Sequence, residues 1–160
     1  MHFATADLYD THPDAVGVCA PVFRDFGGRL VFCGQAETIK CFEDNSRIKE
    51  ALSEPGRGRV LMVDAGGSQR CAMLGDLIAE RAVEQGWAGV LIDGCVRDVA
   101  RLATLDIGIK ALASTPRKSI RRGEGQRALP VQIAGARIAP GDWIYCDGDG
   151  VIVSSTCLTA

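Results

Sequence analysis

Short apolar runs broken by glycine and proline dominate the chain, and one stretch of helical periodicity stands among them. Residues 59–64, RVLMVD, hold an unbroken apolar run from Val60 to Val63 and predict a strand buried on both faces. Leu77, Ile78, Ala82 and Val83 then recur on one side of the segment 76–85, which predicts an amphipathic helix ended by Gly86. GVLIDG, 89–94, predicts a second buried strand, and AGGSQRCAML, 65–74, the loop leading into the helix. Strand, helix, strand in that order is a βαβ unit with parallel strands and a right-handed crossover.

Weaker signals surround this unit. ADLYDTHPDA near the start predicts a short helix and turn, and 29–42 a strand or hairpin with Gly27, Gly28 and Gly34 as turn or close-approach positions. Asn45 is the expected cap of a helix in SRIKEALSE, which Pro55 and Gly56 stop. A short helix is expected near 99–105. Strand-like stretches follow at IGIKALA, PVQIAGARI, DWIYCD and GVIVSS, with turns at PGD and DGDG. No repeat, low-complexity segment or linker divides the 160 residues. The expectation is an α/β fold, one compact domain over 1–160, with a βαβ unit and additional β structure around a central sheet.

Composition removes whole classes of function. Eighteen basic against twenty acidic side chains leave a formal charge of −2, so no direct nucleic-acid binding is expected. No apolar run approaches the roughly 20 residues that span a bilayer. MHFATADLYD lacks the basic and apolar regions of a signal peptide, and a cytoplasmic location is expected. The seven cysteines include no CxxC pair and have little histidine to join them. They read as buried, reduced thiols rather than zinc or iron–sulfur ligands.

In a βαβ unit, the carboxyl ends of the strands and the amino end of the helix share one rim, where ligands commonly bind. Three segments are expected to converge there: 64–67 (DAGG), 75–77 (GDL) and 93–98 (DGCVRD). Backbone N–H groups opening the helix favour a carboxylate or phosphate. Arg97 suits a carboxylate or a developing enolate oxygen. Asp98, with Asp76, offers hard oxygen to magnesium or manganese. Each residue also has a plainer use: Asp76 as a helix cap, Arg97–Asp98 as a surface ion pair, Gly66 and Gly67 as a tight turn. Neither GxGxxG nor GxxxxGK[ST] occurs, so nucleotide transfer has little support. No GxSxG elbow occurs, and His2 and His12 precede the unit, which turns the reading away from covalent hydrolysis. The basic run RKSIRR, 117–122, reads as a solvated loop or subunit contact; it could attract an anionic substrate, but the sequence does not place it at the rim.

FGGRLVFCGQAETIKCFEDN, GRGRVLMVDAGGSQRCAMLGDLIAERA, GWAGVLIDGCVRD and LDIGIKAL closely resemble the RraA-like family, and the D-x20-R-D arrangement of Asp76, Arg97 and Asp98 is its most specific feature. That family includes class II 4-hydroxy-4-methyl-2-oxoglutarate aldolases and regulators of ribonuclease activity. The resemblance implies a homotrimer, or a dimer of trimers, with sites near subunit boundaries. It implies that Asp98 ligates a divalent metal, Mg2+ or Mn2+, and that Arg97 binds substrate and stabilises a pyruvate enolate. It also gives Asp76 a role at metal-bound water, and the amides of Gly75, Asp76, Leu77 and Ile78 a role on a substrate carboxylate. Regulatory relatives can lack the residue matching Asp98, which this chain keeps. The chain departs from many aldolases in having Arg101 where they carry an acidic side chain. It also shows no counterpart of a carboxy-terminal acidic residue that longer aldolases contribute across the interface, for which Asp147 or Asp149 is the candidate substitute.

The expected function is therefore metal-dependent retro-aldol cleavage of a 4-hydroxy-2-oxo acid to pyruvate, with oxaloacetate decarboxylation as a side activity. The alternative is a protein regulator that binds and inhibits an RNA-degrading ribonuclease.

Overall fold

The computed structural model describes residues 2–159. Helices α1 (Thr5–Thr11), α2 (Ser46–Leu52), α3 (Asp76–Glu84) and α4 (Val99–Leu102) are set among twelve strands. Strands β3 (Phe32–Lys40), β4 (Val60–Asp64), β6 (Gly89–Val96) and β7 (Gly108–Ser114) form the parallel centre. Strands β11 (Trp143–Cys146), β12 (Val151–Ser154) and β1 (Val16–Val18) extend it antiparallel on one side, and β2 (Arg24–Asp25) on the other. β8 (Gln126–Arg127) pairs with the end of β3, and β9 (Val131–Ile133) with β10 (Ala136–Ile138) makes a separate hairpin.

The apolar run 60–63 is continuous because the sheet is covered on both faces. Leu61, Val63, Val90 and Ile92 pack toward α2, α3 and α4 with Ile48, Leu52, Ile78 and Leu102. Val60, Met62 and Leu91 pack the other way, on Val131, Ile133, Ile138 and Ile144. The crowding is severe enough to require glycine: a Cβ on Gly34 would lie 2.1 Å from the Gly58 carbonyl oxygen, and one on Gly27 would lie 2.2 Å from that of Ile107. Among the described residues no helix is long and apolar enough to cross a membrane.

Several local expectations change. Residues 65–74 are not all loop: β5 (Ala72–Leu74) pairs in parallel with Cys95 and Val96, beyond the point where β4 leaves β6. The segment 29–42 holds one long strand rather than a hairpin. PVQIAGARI is itself a hairpin, turned by Ala134 and Gly135, both at positive φ. Asn45 precedes α2 but makes no side-chain cap; Asp44 takes the Ser46 amide instead. Cys19, Cys41, Cys71, Cys95 and Cys146 are buried thiols, whereas Cys33 is half-buried and Cys157 is exposed.

Candidate active site

Strand β5 sets the geometry of the site. By pairing with the last residues of β6, it delivers Gly75, the cap of α3, beside Arg97 and Asp98, and the Arg97 amide donates to the Leu74 carbonyl at 2.9 Å. Asp98 then turns the chain into α4 with φ 59°, a left-handed conformation that aspartate tolerates better than most residues. The turn carries its carboxylate back over the start of α3, where Oδ2 accepts the Asp76 amide at 3.1 Å. Arg97 Nε stands 3.8 Å from the same oxygen, and both side chains remain 38% exposed. A Cβ on Gly75 would lie 2.7 Å from Oδ2, so glycine keeps the approach open.

These groups line a cavity of about 150 Å³ together with Leu77, Ile78, Asn45, Ala72, Lys118 and Arg121. The sequence thus brought Gly75, Asp76, Leu77, Ile78, Arg97 and Asp98 to one place, as expected. It did not place Asn45, Lys118 and Arg121 there. The basic run was visible, and tertiary contacts, among them the Ala72–Lys118 bridge and the 3.0 Å bond from Arg121 Nε to Asn45 Oδ1, draw it to the rim. Ser119, between those cations, is buried, and its hydroxyl has no hydrogen-bond partner in the structure.

The convergence expected of 64–67 fails. Asp64 and Gly66 line a different hollow with Lys40, Phe42 and Gln126, because β5 separates their loop from α3. Asp64 is engaged by Lys40 and the Gly66 amide. Asp93, also expected at the rim, does not line the Arg97–Asp98 cavity; its acidity is weakened first by burial and then by the Asp64 charge. Asp147 and Asp149 do not line the Arg97–Asp98 cavity within one chain. Asp147 is consumed by the Thr5 amide and hydroxyl and by the amides of Asp149 and Gly150. Arg101 also stays off the cavity lining, pairing with Glu80 of α3 at 2.8 Å.

Among the described residues no three histidine, cysteine or acidic side chains gather into a closed metal cage. A magnesium-type site does not need one. Such an ion keeps several waters and takes only one or two carboxylates. Asp98, bonded to a single amide and spared a Cβ at Gly75, fits that donor set, with Asp76 at the same mouth. The Leu77 amide is occupied by the Asp76 carboxylate at 2.8 Å. A larger hollow of about 520 Å³, against α1 and β12, has no basic side chain in its lining and suits an anion poorly.

The RraA-like family model, described as Aldolase/RraA, matches residues 5–153. A protein of Alkalilimnicola ehrlichii named "Putative 4-hydroxy-4-methyl-2-oxoglutarate aldolase" is 54% identical over 158 residues, covering 99% of this chain and 98% of its own. The solved structure of a protein described as the RNA-processing inhibitor RraA, from Thermus thermophilis, superposes with a TM-score of 0.93 at 42% identity, covering 97% of this chain and 94% of that one. A Geobacillus kaustophilus structure described as an S-adenosylmethionine:2-dimethylmenaquinone methyltransferase gives 0.95 at 42% identity, over 98% and 97%. Three such names on one fold leave the chemistry to be argued from the site. Matches of this extent make the chain a member of the RraA-like family.

Proposed function

We propose that this protein is a divalent-metal-dependent lyase that cleaves 4-hydroxy-4-methyl-2-oxoglutarate or a related 4-hydroxy-2-oxo acid to pyruvate, and decarboxylates oxaloacetate at the same site. The observation that carries the reading is one small cavity holding the open Asp98 carboxylate, the Arg97 guanidinium and the amino end of α3. The aldolase name of the Alkalilimnicola relative agrees with it.

Asp98, with Asp76 through water, would hold Mg2+ or Mn2+. When bound, the ion supplies positive charge that polarises a 2-oxo acid. The amides opening α3 bind the adjacent carboxylate, with Leu77 becoming available when Asp76 swings off it. Arg97 donates to the 2-oxo oxygen, where negative charge grows. Water held by Asp76 takes the C4 hydroxyl proton, the C3–C4 bond breaks, and C4 becomes a carbonyl. The electron pair resides in the pyruvate enolate until C3 takes a proton. In oxaloacetate the same bond breaks to release carbon dioxide and the same enolate, so one charge-stabilising arrangement serves both reactions.

The working unit in this reading is a homotrimer, or a dimer of trimers, with the cavity at a subunit boundary. Leu77, Val99 and Ile120 are exposed apolar residues around the two motifs and the basic segment, a surface suited to a second copy. Pyruvate release should require added Mg2+ or Mn2+ and stop on chelation. Full turnover of several 4-hydroxy-2-oxo acids and oxaloacetate in chelator would sink the metal-dependent reading. The likeness to the Thermus inhibitor favours a second reading, a regulator that binds an RNA-degrading ribonuclease. Stoichiometric inhibition of such a ribonuclease by protein lacking lyase activity would establish it instead.

A further inference from the structure

The segment 115–125 contains neither helix nor regular strand after β7, yet it is tied at both ends. At one end the Ala72 amide donates to the Arg117 carbonyl at 2.7 Å, and Lys118 bridges to Ala72. At the other end the buried Asp44 carboxylate takes the Arg122 amide at 2.6 Å and the Glu124 amide at 3.3 Å on Oδ2, while Oδ1 takes the Ser46 amide and hydroxyl. Burial opposes the charge on Asp44, but these bonds, led by Ser46, outweigh it and lower its pKa to about 2. Lys118 at the first tie and Arg121 between the two both line the cavity. Asn45 completes the arrangement, accepting from Arg121 and donating to the Met73 carbonyl at 3.2 Å.

The distribution of charge is informative. Asp44 spends its carboxylate on backbone N–H groups and on Ser46, so it fixes the segment without neutralising its cations. Among the described residues neither Lys118 nor Arg121 is in a salt bridge. A substrate with one carboxylate and a 2-oxo group is already served by α3 and Arg97. The two further cations match a second anionic group.

We propose that Asp44 is a positioning residue that holds the 117–124 segment so that Lys118 and Arg121 select a 2-oxo acid carrying a second carboxylate. This rests on the reading of the cavity as a 2-oxo acid site. Calorimetry of the whole protein with Mg2+, using pyruvate and the non-cleavable 2-oxoglutarate as probes, tests it. Wild type should favour 2-oxoglutarate by about 10-fold or more, as expected for a charge-assisted contact. Asp44→Asn and Arg121→Gln should each reduce that preference to about 2-fold, chiefly by weakening the dicarboxylate. Hydrogen exchange at 122–124 should quicken in D44N but not in R121Q, separating lost position from lost charge. If D44N does not fold, Asn45→Ala releases the Arg121 side chain without touching the backbone ties, and should lower the preference too. Equal affinity of wild type for both probes overturns the proposal, as does a D44N or N45A protein with the preference intact or with both affinities lowered equally. Wild type that binds neither probe sinks the 2-oxo acid reading itself, and the proposal with it.

Discussion

Asp98 and Asp147 both follow the end of a strand, β6 in one case and β11 in the other, and the fold uses them in opposite ways. Asp147 is buried and accepts four hydrogen bonds, two from Thr5 and two from its own turn. Burial alone would raise its pKa; those bonds lower it, the mark of a carboxylate whose charge the native state has fully employed. Asp98 accepts one amide, stands at arm's length from Arg97 and faces a cavity. A carboxylate with unspent lone pairs at a cavity mouth is available to a ligand, and one saturated by its own chain is a structural tie.

Exchanging the side chains should expose the contrast. Asp98→Asn should lower kcat/KM for pyruvate formation by about 10³-fold, the scale of losing a main electrostatic group, while the melting temperature stays within about 2 °C of wild type. Asp147→Ala should do the reverse, costing about 3 kcal/mol and about 9 °C as Thr5 and the turn lose their acceptor, with activity per folded molecule retained. Kinetics and calorimetry on the two variants decide the matter, and an inactive but stable D147A protein would erase the distinction.

Gly75→Ala asks whether the open side of Asp98 matters. Its Cβ would press on Oδ2, and metal affinity should fall by about 10- to 100-fold, measured by titrating activity with Mn2+. Unchanged affinity would mean that Asp98 can yield without loss.

Acid probes the structural carboxylates. The pKa of Asp44 is lowered from the usual 3.8 to about 2, so its contribution is complete above pH 4 and is lost as pH falls toward 2. Urea titrations at pH 4 and pH 2 should show a smaller loss of stability for D44N than for wild type. Equal losses would show that the Asp44 bonds persist without charge. The smallest effect is expected of Ser119→Ala, which removes a buried hydroxyl that has no partner. Stability should be unchanged or raised by up to about 1 kcal/mol. A loss beyond that would reveal a ligand or water on the hydroxyl.

These contrasts also mark how far the sequence could be read. Helical periodicity and continuous apolar runs locate α3, β4 and β6, since a sheet covered on both faces leaves a strong local signature. The pairing of Gly75–Asp76 with Arg97–Asp98 was legible because both flank that unit. β5 was not legible: three residues after a glycine-rich loop carry no period, and only pairing with Cys95 and Val96 makes them a strand. For the same reason 64–67 was placed at the wrong hollow. Lys118 and Arg121 were visible as charge, but their placement depends on distant contacts: Lys118 bridges to Ala72, Arg121 bonds Asn45, and Asp44 takes the Arg122 amide. Asn45 resembled a helix cap by local rule, and tertiary partners claimed its amide.

The left-handed backbone at residue 98 has an implication for lineage. Asparagine accepts that conformation as readily as aspartate does and keeps a side-chain oxygen for the Asp76 amide, so under the proposed reaction a single replacement there removes the carboxylate and leaves the scaffold in place. If the proposed reaction holds, shape and reactivity are separable at this one position, and the same silhouette serves a catalyst or a non-catalyst according to a single side chain.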